Sequence, residues 1–162
     1  MANCALYSIR FCSKSKEVLE RVLRIMRYED PEYFIYRVGE AELVDGIVQN
    51  RDSGVWSMDV EGDVAWSVSS WFANHENAEN KDAATGAHYV SLDILAKRLG
   101  FWCEAFCEES GNCFQQYFSC DENGNVHEDT AEWTERWTDD EGNDLDEPET
   151  SGGLSYYGCW SI

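Results

Sequence analysis

The sequence has little positive charge: its 162 residues include 32 Asp and Glu but only 12 Lys and Arg, a formal net charge of −20. Proteins that bind nucleic acid place Lys and Arg against phosphates, so this deficit argues against direct binding of DNA or RNA. It argues equally against binding to an anionic membrane surface. A chain this acidic should instead attract basic protein surfaces.

The sequence also lacks the motifs of common catalytic centres. It contains no G-x-S-x-G, no G-x-x-x-x-G-K phosphate loop and no H-E-x-x-H pair of zinc ligands. The three histidines are His75, His88 and His127. They lie in loop-like or acidic segments, where a solvated side chain is the usual state. We therefore predict no catalytic residues, no bound cofactor and no enzyme activity.

Long apolar runs are missing as well. No run is long enough to span a bilayer, and no basic segment followed by an apolar one marks a secretory leader. The seven cysteines are Cys4, Cys12, Cys103, Cys107, Cys113, Cys120 and Cys159. They are odd in number, and most lie in strand-like patterns rather than in the loops of a disulfide-bonded scaffold. These features predict a reduced, cytoplasmic protein with no membrane partner.

A group of sulfur and nitrogen side chains in the second half of the chain has the chemistry of zinc ligands. The group comprises Cys103, Cys107, Cys113, Cys120 and His127. Cys103 and Cys107 are four residues apart on a predicted strand, hence about 13 Å apart, which is too far to share one tetrahedral ion. We therefore predict buried thiols.

Two acidic turns, residues 121–125 and 139–144, resemble calcium-binding loops. Gly124 and Gly142 stand at the fourth position of these turns, whereas the EF-hand turn requires glycine at the sixth. The spacing therefore predicts no metal site in either turn.

Residues 101–125 carry the clearest pattern in the sequence and predict an antiparallel β-hairpin. Two runs rich in β-forming residues flank a turn-forming cluster at residues 109–112. Apolar residues occupy alternate positions on the first arm, as they do on a strand with one buried face. The hairpin leaves an apolar face that other elements must cover.

The residues before this hairpin predict further strands and a helix. Residues 3–12 alternate as a strand, and apolar positions at helical spacing then predict a helix from an N-cap at Ser13 to Arg27. Residues 33–48 predict a long, bent strand, because glycines interrupt a β-rich run. Residues 56–60 predict a third strand that pairs with it as a hairpin.

The remaining segments predict a second helix between two irregular stretches. Residues 64–72 fit a short helix or a continuation of the preceding strand, and we favour a buried turn of helix. Residues 73–90, which have no regular periodicity, predict an exposed loop. Ser91 caps a second helix that ends at Gly100. Residues 154–162 carry three large aromatic side chains, so we expect this tail to dock on the domain or to return as a short strand.

This order of elements, with two helices between pairs of strands, matches the ferredoxin-like or split βαβ topology. We therefore predict an α+β fold in which two helices pack on one face of an antiparallel sheet, with an appended hairpin strand and an acidic C-terminal segment. Residues 1–162 form one domain in this interpretation, with a core at 1–125 and the acidic segment and docked tail at 126–162.

Three segments also carry a family resemblance. They are Met-Ala-Asn-Cys at residues 1–4, GDVAWSV at 62–68 and EESGNCFQQYF at 108–118, the last followed by an acidic Asn-Gly turn. In these segments the chain resembles the YubB ferredoxin-like family, over roughly residues 1–130. Members of that family are encoded by phages, plasmids and conjugative elements. The resemblance implies a ferredoxin-like fold, a bacterial host cell and no established catalytic activity.

The acidic residues concentrate towards the end of the chain. Residues 121–162 contain 13 acids and one base, whereas residues 1–54 contain 9 acids and 8 bases. If residues 126–150 were helical, Trp133 and Trp137 would share one face as an anchor or a hot spot. The predicted partner-binding residues are Glu108, Glu109, Asp121, Glu122, Glu128, Asp129, Glu132, Trp133, Glu135, Trp137, Asp139, Asp140 and Glu141.

Charge and resemblance together predict a counter-defence protein of a mobile element. It would bind the basic surface of a bacterial immune protein, such as a CRISPR effector or a restriction enzyme, and present acids where nucleic acid would lie. An alternative function is a non-catalytic structural or interaction partner within the mobile element, with acidity serving solubility. An enzyme ranks third.

Overall fold

A computed structural model describes residues 4–162, and over these residues the protein is mostly β, with ten strands and two α-helices. The elements in chain order are β1 (Cys4–Ser13), α1 (Lys16–Met26), β2 (Tyr33–Phe34), β3 (Glu42–Gln49), β4 (Trp56–Ala65), a 3₁₀ helix (Val68–Phe72), β5 (Glu76–Lys81), β6 (His88–Val90), α2 (Leu92–Leu99), β7 (Phe101–Glu109), β8 (Phe114–Cys120), β9 (Val126–Thr138) and β10 (Asp144–Gly152). In this same part of the chain, no helix is both long and apolar enough to cross a membrane.

Seven strands form one curled, antiparallel sheet with the shape of a half-barrel. Their spatial order is β10, β9, β8, β7, β1, β4, β3. Strand β1 lies inside the sheet and pairs with β4 on one side and β7 on the other. The right-handed twist of each strand accumulates across so many neighbours, which gives a wide sheet its curvature.

The predicted ferredoxin-like fold is therefore wrong. The chain after Gly100 does not add one hairpin and a loose acidic segment; it adds four strands, β7 to β10, to one side of β1. Helices of eleven and eight residues cover only part of a sheet this wide. The prediction failed because residues 126–150 lack the apolar alternation of a half-buried strand. Backbone pairing of β9 with β8, and then with β10, makes most of them strands nonetheless.

The predicted exposed loop at residues 73–90 is also wrong, because it contains two strands of a second, three-stranded sheet. In this sheet β6 lies between β2, to which it is parallel, and β5, to which it is antiparallel. Tyr89 and Val90 of β6 are buried. A three-residue strand is too short to show a period in the sequence, so only its tertiary neighbours reveal it.

An ion-pair cluster ties β5 to β6 and α2. Glu76 of β5 accepts hydrogen bonds from Arg98, at 3.0 and 3.2 Å, and lies 2.8 Å from Nε2 of His88. The Arg98 guanidinium, with His88 contributing less, lowers the pKa of the Glu76 carboxyl to about 2. The cluster therefore joins the small sheet to the second helix.

Several local predictions are confirmed. The hairpin at residues 101–125 is present as β7 and β8. The predicted long strand at residues 33–48 is wrong, because this segment divides into β2 of the small sheet and β3, and only β3 pairs with β4 as predicted. Residues 68–72 form a short buried helix, and α2 begins after Ser91 and ends at Gly100 in the left-handed conformation, with φ of 82°. Helix α1 is capped by Ser15, not by Ser13 as predicted, because the Ser13 hydroxyl donates to the Gly100 carbonyl instead.

The main core lies between one face of the large sheet and the two helices. Alternate residues of β1 and β7 supply its floor, and α1 and α2 each contribute an apolar side. Trp71 of the 3₁₀ helix is fully buried at the centre of this cluster. Its ring packs edge-to-face on Tyr7, with ring centroids 4.8 Å apart.

The opposite face of β7 is covered by residues 153–162, which add no strand. Tyr157 and Trp160 of this tail pack on Phe106, with ring centroids 5.2 and 5.1 Å away. The backbone N–H of Ser161 donates to the buried carboxylate of Glu104 at 2.8 Å, and the Tyr117 hydroxyl donates to the same group. Both faces of β7 are therefore packed.

Candidate partner-binding surface

Strand β9 changes its pairing partner halfway along its length. Its first part pairs with β8, from Val126 opposite Cys120 to Glu132 opposite Phe114. From Trp133 onwards it pairs with β10 instead, with Gly152 opposite Trp133. Residues 133–152 thus form a two-stranded projection beyond the end of β8, which we call the acidic ribbon.

The acidic ribbon concentrates negative charge on an accessible structure. It contains eight Asp and Glu residues and one arginine. Most of its side chains are exposed and none is buried. Its β9 part, residues 133–138, spans roughly 20 Å at about 3.3 Å per residue, and the longer β10 bulges between Asp144 and Glu149. Seven of its eight acids are exposed, and Asp139 is half-buried.

The single base of the ribbon, Arg136, is already paired. Its guanidinium donates to Asp140 and to Glu149, both at 2.5 Å. These two ion pairs tie β9 to the loop at the tip and to β10. The arginine therefore stabilises the ribbon, and its charge is largely neutralised by these two carboxylates.

Two loops of matching sequence, 121–125 and 139–143, connect β8 to β9 and β9 to β10. In the first, Asp121 accepts the backbone N–H groups of Asn123 and Asn125, both at 2.9 Å. The Asn125 side chain and these backbone groups lower the pKa of Asp121. Each loop closes a tight turn of the strand, and its first carboxylate is occupied in holding that turn.

The second loop repeats this arrangement at the tip of the ribbon. Asp139 accepts the backbone N–H groups of Glu141 and Asn143 at 2.9 and 2.8 Å. Hydrogen bonds from Asn143 and the backbone lower its pKa. Asp121 and Asp139, both predicted to bind a partner, therefore shape the loops, while the acids beside them are free to face outwards.

A matched pair of glycine substitutions tests this loop geometry. Gly124 and Gly142 have φ values of 81° and 86°, which favour glycine. A Cβ at Gly142 would meet nothing within 4 Å, whereas one at Gly124 would lie 2.7 Å from the Asp93 carbonyl oxygen. We expect Gly142→Ala to cost about 1 kcal/mol and Gly124→Ala about 2 to 3 kcal/mol more.

Urea denaturation of the two variants, compared with the unaltered chain, measures this difference. The variants share the same backbone strain and differ only in the contact with α2. Equal losses of stability would show that the loop at 121–125 does not pack against that helix as described.

The two acids predicted on the β7 side lie apart from the ribbon. Glu109 is buried, and its carboxylate accepts the backbone N–H groups of Gly111 and Asn112 at 3.0 and 2.5 Å. Glu108 is half-buried and accepts a hydrogen bond from Gln115 at 2.7 Å. The structure therefore does not place Glu109 on the surface predicted for it, because its charge holds the hairpin turn.

The other predicted acids lie either in residues 121–132, which we call the root of the ribbon, or in the ribbon itself. Those exposed at the root are Glu122, Glu128, Asp129 and Glu132, and those exposed on the ribbon are Glu135, Asp140 and Glu141. Asp129 accepts the Tyr156 hydroxyl at 2.6 Å, which fixes the tail to β9. Because successive side chains of a strand point to opposite faces, the acids of β9 are distributed over both faces of the sheet.

Trp133 and Trp137 lie on the same face of the chain, but for a different reason than predicted. The segment is a strand, not a helix, and residues four apart on a strand also share a face. Their Cα atoms are separated by about 13 Å. Trp133 is half-buried where the ribbon begins, whereas Trp137 is 54% exposed near the tip.

Sequence reasoning missed the acids of β10. They are Asp144, Asp146, Glu147 and Glu149. All four are exposed, and pairing of β10 with β9 brings them beside the predicted acids. The same excess of acids in residues 121–162 could have indicated them, but only the strand pairing shows that they share the projection.

The cysteines and acids of the described residues do not gather into a cluster of metal ligands. Among residues 4–162, no three or more His, Cys, Asp and Glu side chains are grouped so that they could hold a metal ion. Cys107 and Cys120 are buried, and burial raises their pKa values to about 11 and about 12. These thiols therefore stay protonated at neutral pH and act as small core side chains.

Comparison of the chain with protein-family models, curated proteins and solved structures gives no match. The resemblance to the YubB ferredoxin-like family therefore stays a prediction from three segments. Function must be argued from the geometry of the chain itself, and the acidic ribbon is its most unusual surface.

Proposed function

We propose that this chain is a counter-defence protein of a mobile element that binds a nucleic-acid-binding immune effector, such as a CRISPR effector or a restriction enzyme. It acts in the cytoplasm of a bacterial host by placing the acidic ribbon where the effector holds nucleic acid. The observation that carries this proposal is the projection of eight exposed or half-buried acids at residues 133–152.

Charge density supports this mode of binding. Eight carboxylates and one arginine give a net charge of −7 over roughly 20 Å of strand, about one negative charge per 3 Å, compared with one per 1.7 Å along duplex DNA. Of the eight acids, one lies on β9, three lie in the tip loop and four lie on β10. A basic groove that attracts phosphates would attract this ribbon for the same electrostatic reason.

Shape supports the proposal as well. The ribbon is two strands wide and most of its side chains are exposed, so a groove can enclose it. Trp137 adds a large exposed aromatic ring among the acids. Aromatic anchors supply much of the energy of protein interfaces, whereas rim charges supply mainly attraction and orientation.

Five neutralising substitutions test the proposal without disturbing the fold. They are Glu135→Gln, Glu141→Gln, Asp144→Asn, Asp146→Asn and Glu147→Gln. All five residues are exposed, and the set avoids the loop carboxylate of Asp139 and the partners of Arg136. The matched control neutralises five exposed acids elsewhere, with Glu29→Gln, Glu42→Gln, Asp45→Asn, Asp52→Asn and Glu79→Gln.

Each protein is used as bait in a bacterial lysate that contains CRISPR effectors and restriction enzymes, and captured proteins are identified by mass spectrometry. We expect the unaltered and control baits to capture one nucleic-acid-binding effector. The affinity of the ribbon variant should be about 100-fold lower, from roughly 0.5 kcal/mol per charge. Affinity of the unaltered protein should also fall steeply as salt rises.

Equal affinity of the ribbon and control variants would overturn the role of the ribbon. Capture of no immune protein by any bait would instead favour a structural partner within the mobile element, for which the acids serve solubility.

A further inference from the structure

Cys103 and Cys120 face each other directly across two neighbouring strands. Cys103 of β7 is in register with Cys120 of β8, and both side chains contribute to the main core. Directly opposed residues of an antiparallel pair have Cα atoms about 4.5 or 5.5 Å apart, depending on the hydrogen-bonding position. Both distances lie within the roughly 4.4–6.8 Å range of disulfide bonds. The two side chains also point to the same face of the sheet.

We propose that Cys103 and Cys120 are a modification site at which an oxidant, of the class of small-molecule disulfides, forms a cross-strand disulfide bond. Both residues are free thiols in this structure. The inference stands on strand register and is independent of the proposed function.

The reaction proceeds by two thiol–disulfide exchanges. The Cys120 thiolate attacks one sulfur of the small disulfide, forms a mixed disulfide and expels one small thiolate. The Cys103 thiolate then attacks the Cys120 sulfur, forms the bond between the two cysteines and expels the second small thiolate. The protein loses two protons and two electrons, and the oxidant is reduced to two small thiols.

Both thiols are almost fully buried in the main core, so the oxidant reaches them when the end of β8 opens locally. A cleft of about 620 Å³ beside this end lies on the opposite face of the two strands, where Glu104, Tyr117 and Ser119 point. Cys120 ends β8 and directly precedes the loop at residues 121–125. Burial raises the pKa of both thiols, so the reaction should be slow at neutral pH and faster at higher pH.

Strand register also favours a bond between these two cysteines over bonds that involve other cysteines. Cys12 lies opposite Ser57 and Trp102, and Cys107 lies opposite Tyr7 and Gln116. Within residues 4–162, Cys103 and Cys120 are the only cysteines in direct register on neighbouring strands. The folded chain should therefore favour this bond over every other pairing.

The bond would link the end of β8, where the chain turns into β9, covalently to β7. It joins β7 to the last residue of β8, immediately before the loop that leads into β9. The cross-link would also restrict the unfolded chain, which is the main route by which disulfides stabilise proteins.

The test treats the full chain with oxidised glutathione at pH 8.5, alkylates the remaining thiols, and maps disulfides after chymotryptic digestion without reduction. Cleavage after Phe106 and Phe118 separates Cys103 from Cys120 and from Cys107 and Cys113. We expect one dominant linked species that joins residues 103–106 to a peptide containing Cys120, and its disappearance after reduction.

Three comparisons sharpen the result. The dominant link should be lost in Cys103→Ala and in Cys120→Ala, and kept in Cys107→Ala. In urea the same chain should give a mixture of pairings, because register is lost on unfolding. A dominant bond to any other cysteine in the folded chain, or glutathione adducts alone, would overturn the proposal.

Discussion

Replacing Trp71 with alanine is expected to lower the free energy of unfolding by about 3 to 5 kcal/mol, the range for truncating a buried tryptophan. The side chain is fully buried at the centre of the main core. Its indole N–H donates to the Tyr36 carbonyl at 2.8 Å, and its ring packs on Tyr7. Alanine would lose the apolar contacts, leave a cavity and remove the hydrogen-bond donor to the Tyr36 carbonyl.

Urea denaturation followed by circular dichroism measures this loss. Trp71→Phe keeps most of the ring but cannot donate to Tyr36, so we expect an intermediate loss of about 1 to 3 kcal/mol. Trp137→Ala is the matched control, because that ring is 54% exposed and should change stability by less than about 1 kcal/mol. Similar losses for the two alanine variants would contradict the central position of Trp71.

Replacing Glu104 with alanine should detach the C-terminal tail from the sheet. The Glu104 carboxylate is buried and accepts hydrogen bonds from Tyr117 at 2.8 Å and from the backbone N–H groups of Ser161 and Ile162, at 2.8 and 3.3 Å. The Ser161 hydroxyl also donates to it. Hydrogen bonds to a charged group contribute about 1.5 to 3 kcal/mol each. We therefore expect the free energy that holds the tail on the sheet to fall by roughly 3 kcal/mol or more.

Limited chymotrypsin digestion distinguishes tail release from global unfolding. In the unaltered chain, Tyr157 and Trp160 pack on Phe106, so cleavage beside them should be slow. Glu104→Ala should raise that cleavage rate at least about 10-fold, which corresponds to a fall of about 1.4 kcal/mol in the free energy of releasing the tail. Circular dichroism should show that the sheet stays intact. Glu108→Gln, which alters a half-buried neighbour with one hydrogen bond, serves as control. An unchanged cleavage pattern in Glu104→Ala would show that the aromatic contacts alone hold the tail.

Local order along the chain could be predicted from neighbouring residues. The turn at residues 109–112 follows from its turn-forming side chains, and Gly100 marks the end of α2 because it tolerates a left-handed backbone. The same reasoning failed for Ser13, since its hydroxyl finds a distant carbonyl that no local pattern reveals. Residues that act through contacts close in sequence were predictable, and those that act through distant contacts were not.

The candidate surface likewise has features that composition predicts and features that depend on distant contacts. Composition alone gives the excess of acids after residue 120, together with the argument against nucleic-acid binding. It could not distinguish the buried Glu109, which holds a turn, from the exposed Glu135, because both are acids in polar surroundings. Nor could it include the acids of β10, whose proximity to the others depends on strand pairing.

The sequence by itself therefore determined the charge, the helices and most of the local turns of this protein, because these depend on residue type and short spacing. The tertiary structure decided the fold. Which strands pair across the sheet, and where β9 exchanges β8 for β10, depends on backbone hydrogen bonds between distant residues. Those bonds leave no period in an acidic sequence, yet they create both the half-barrel sheet and the ribbon that projects from it.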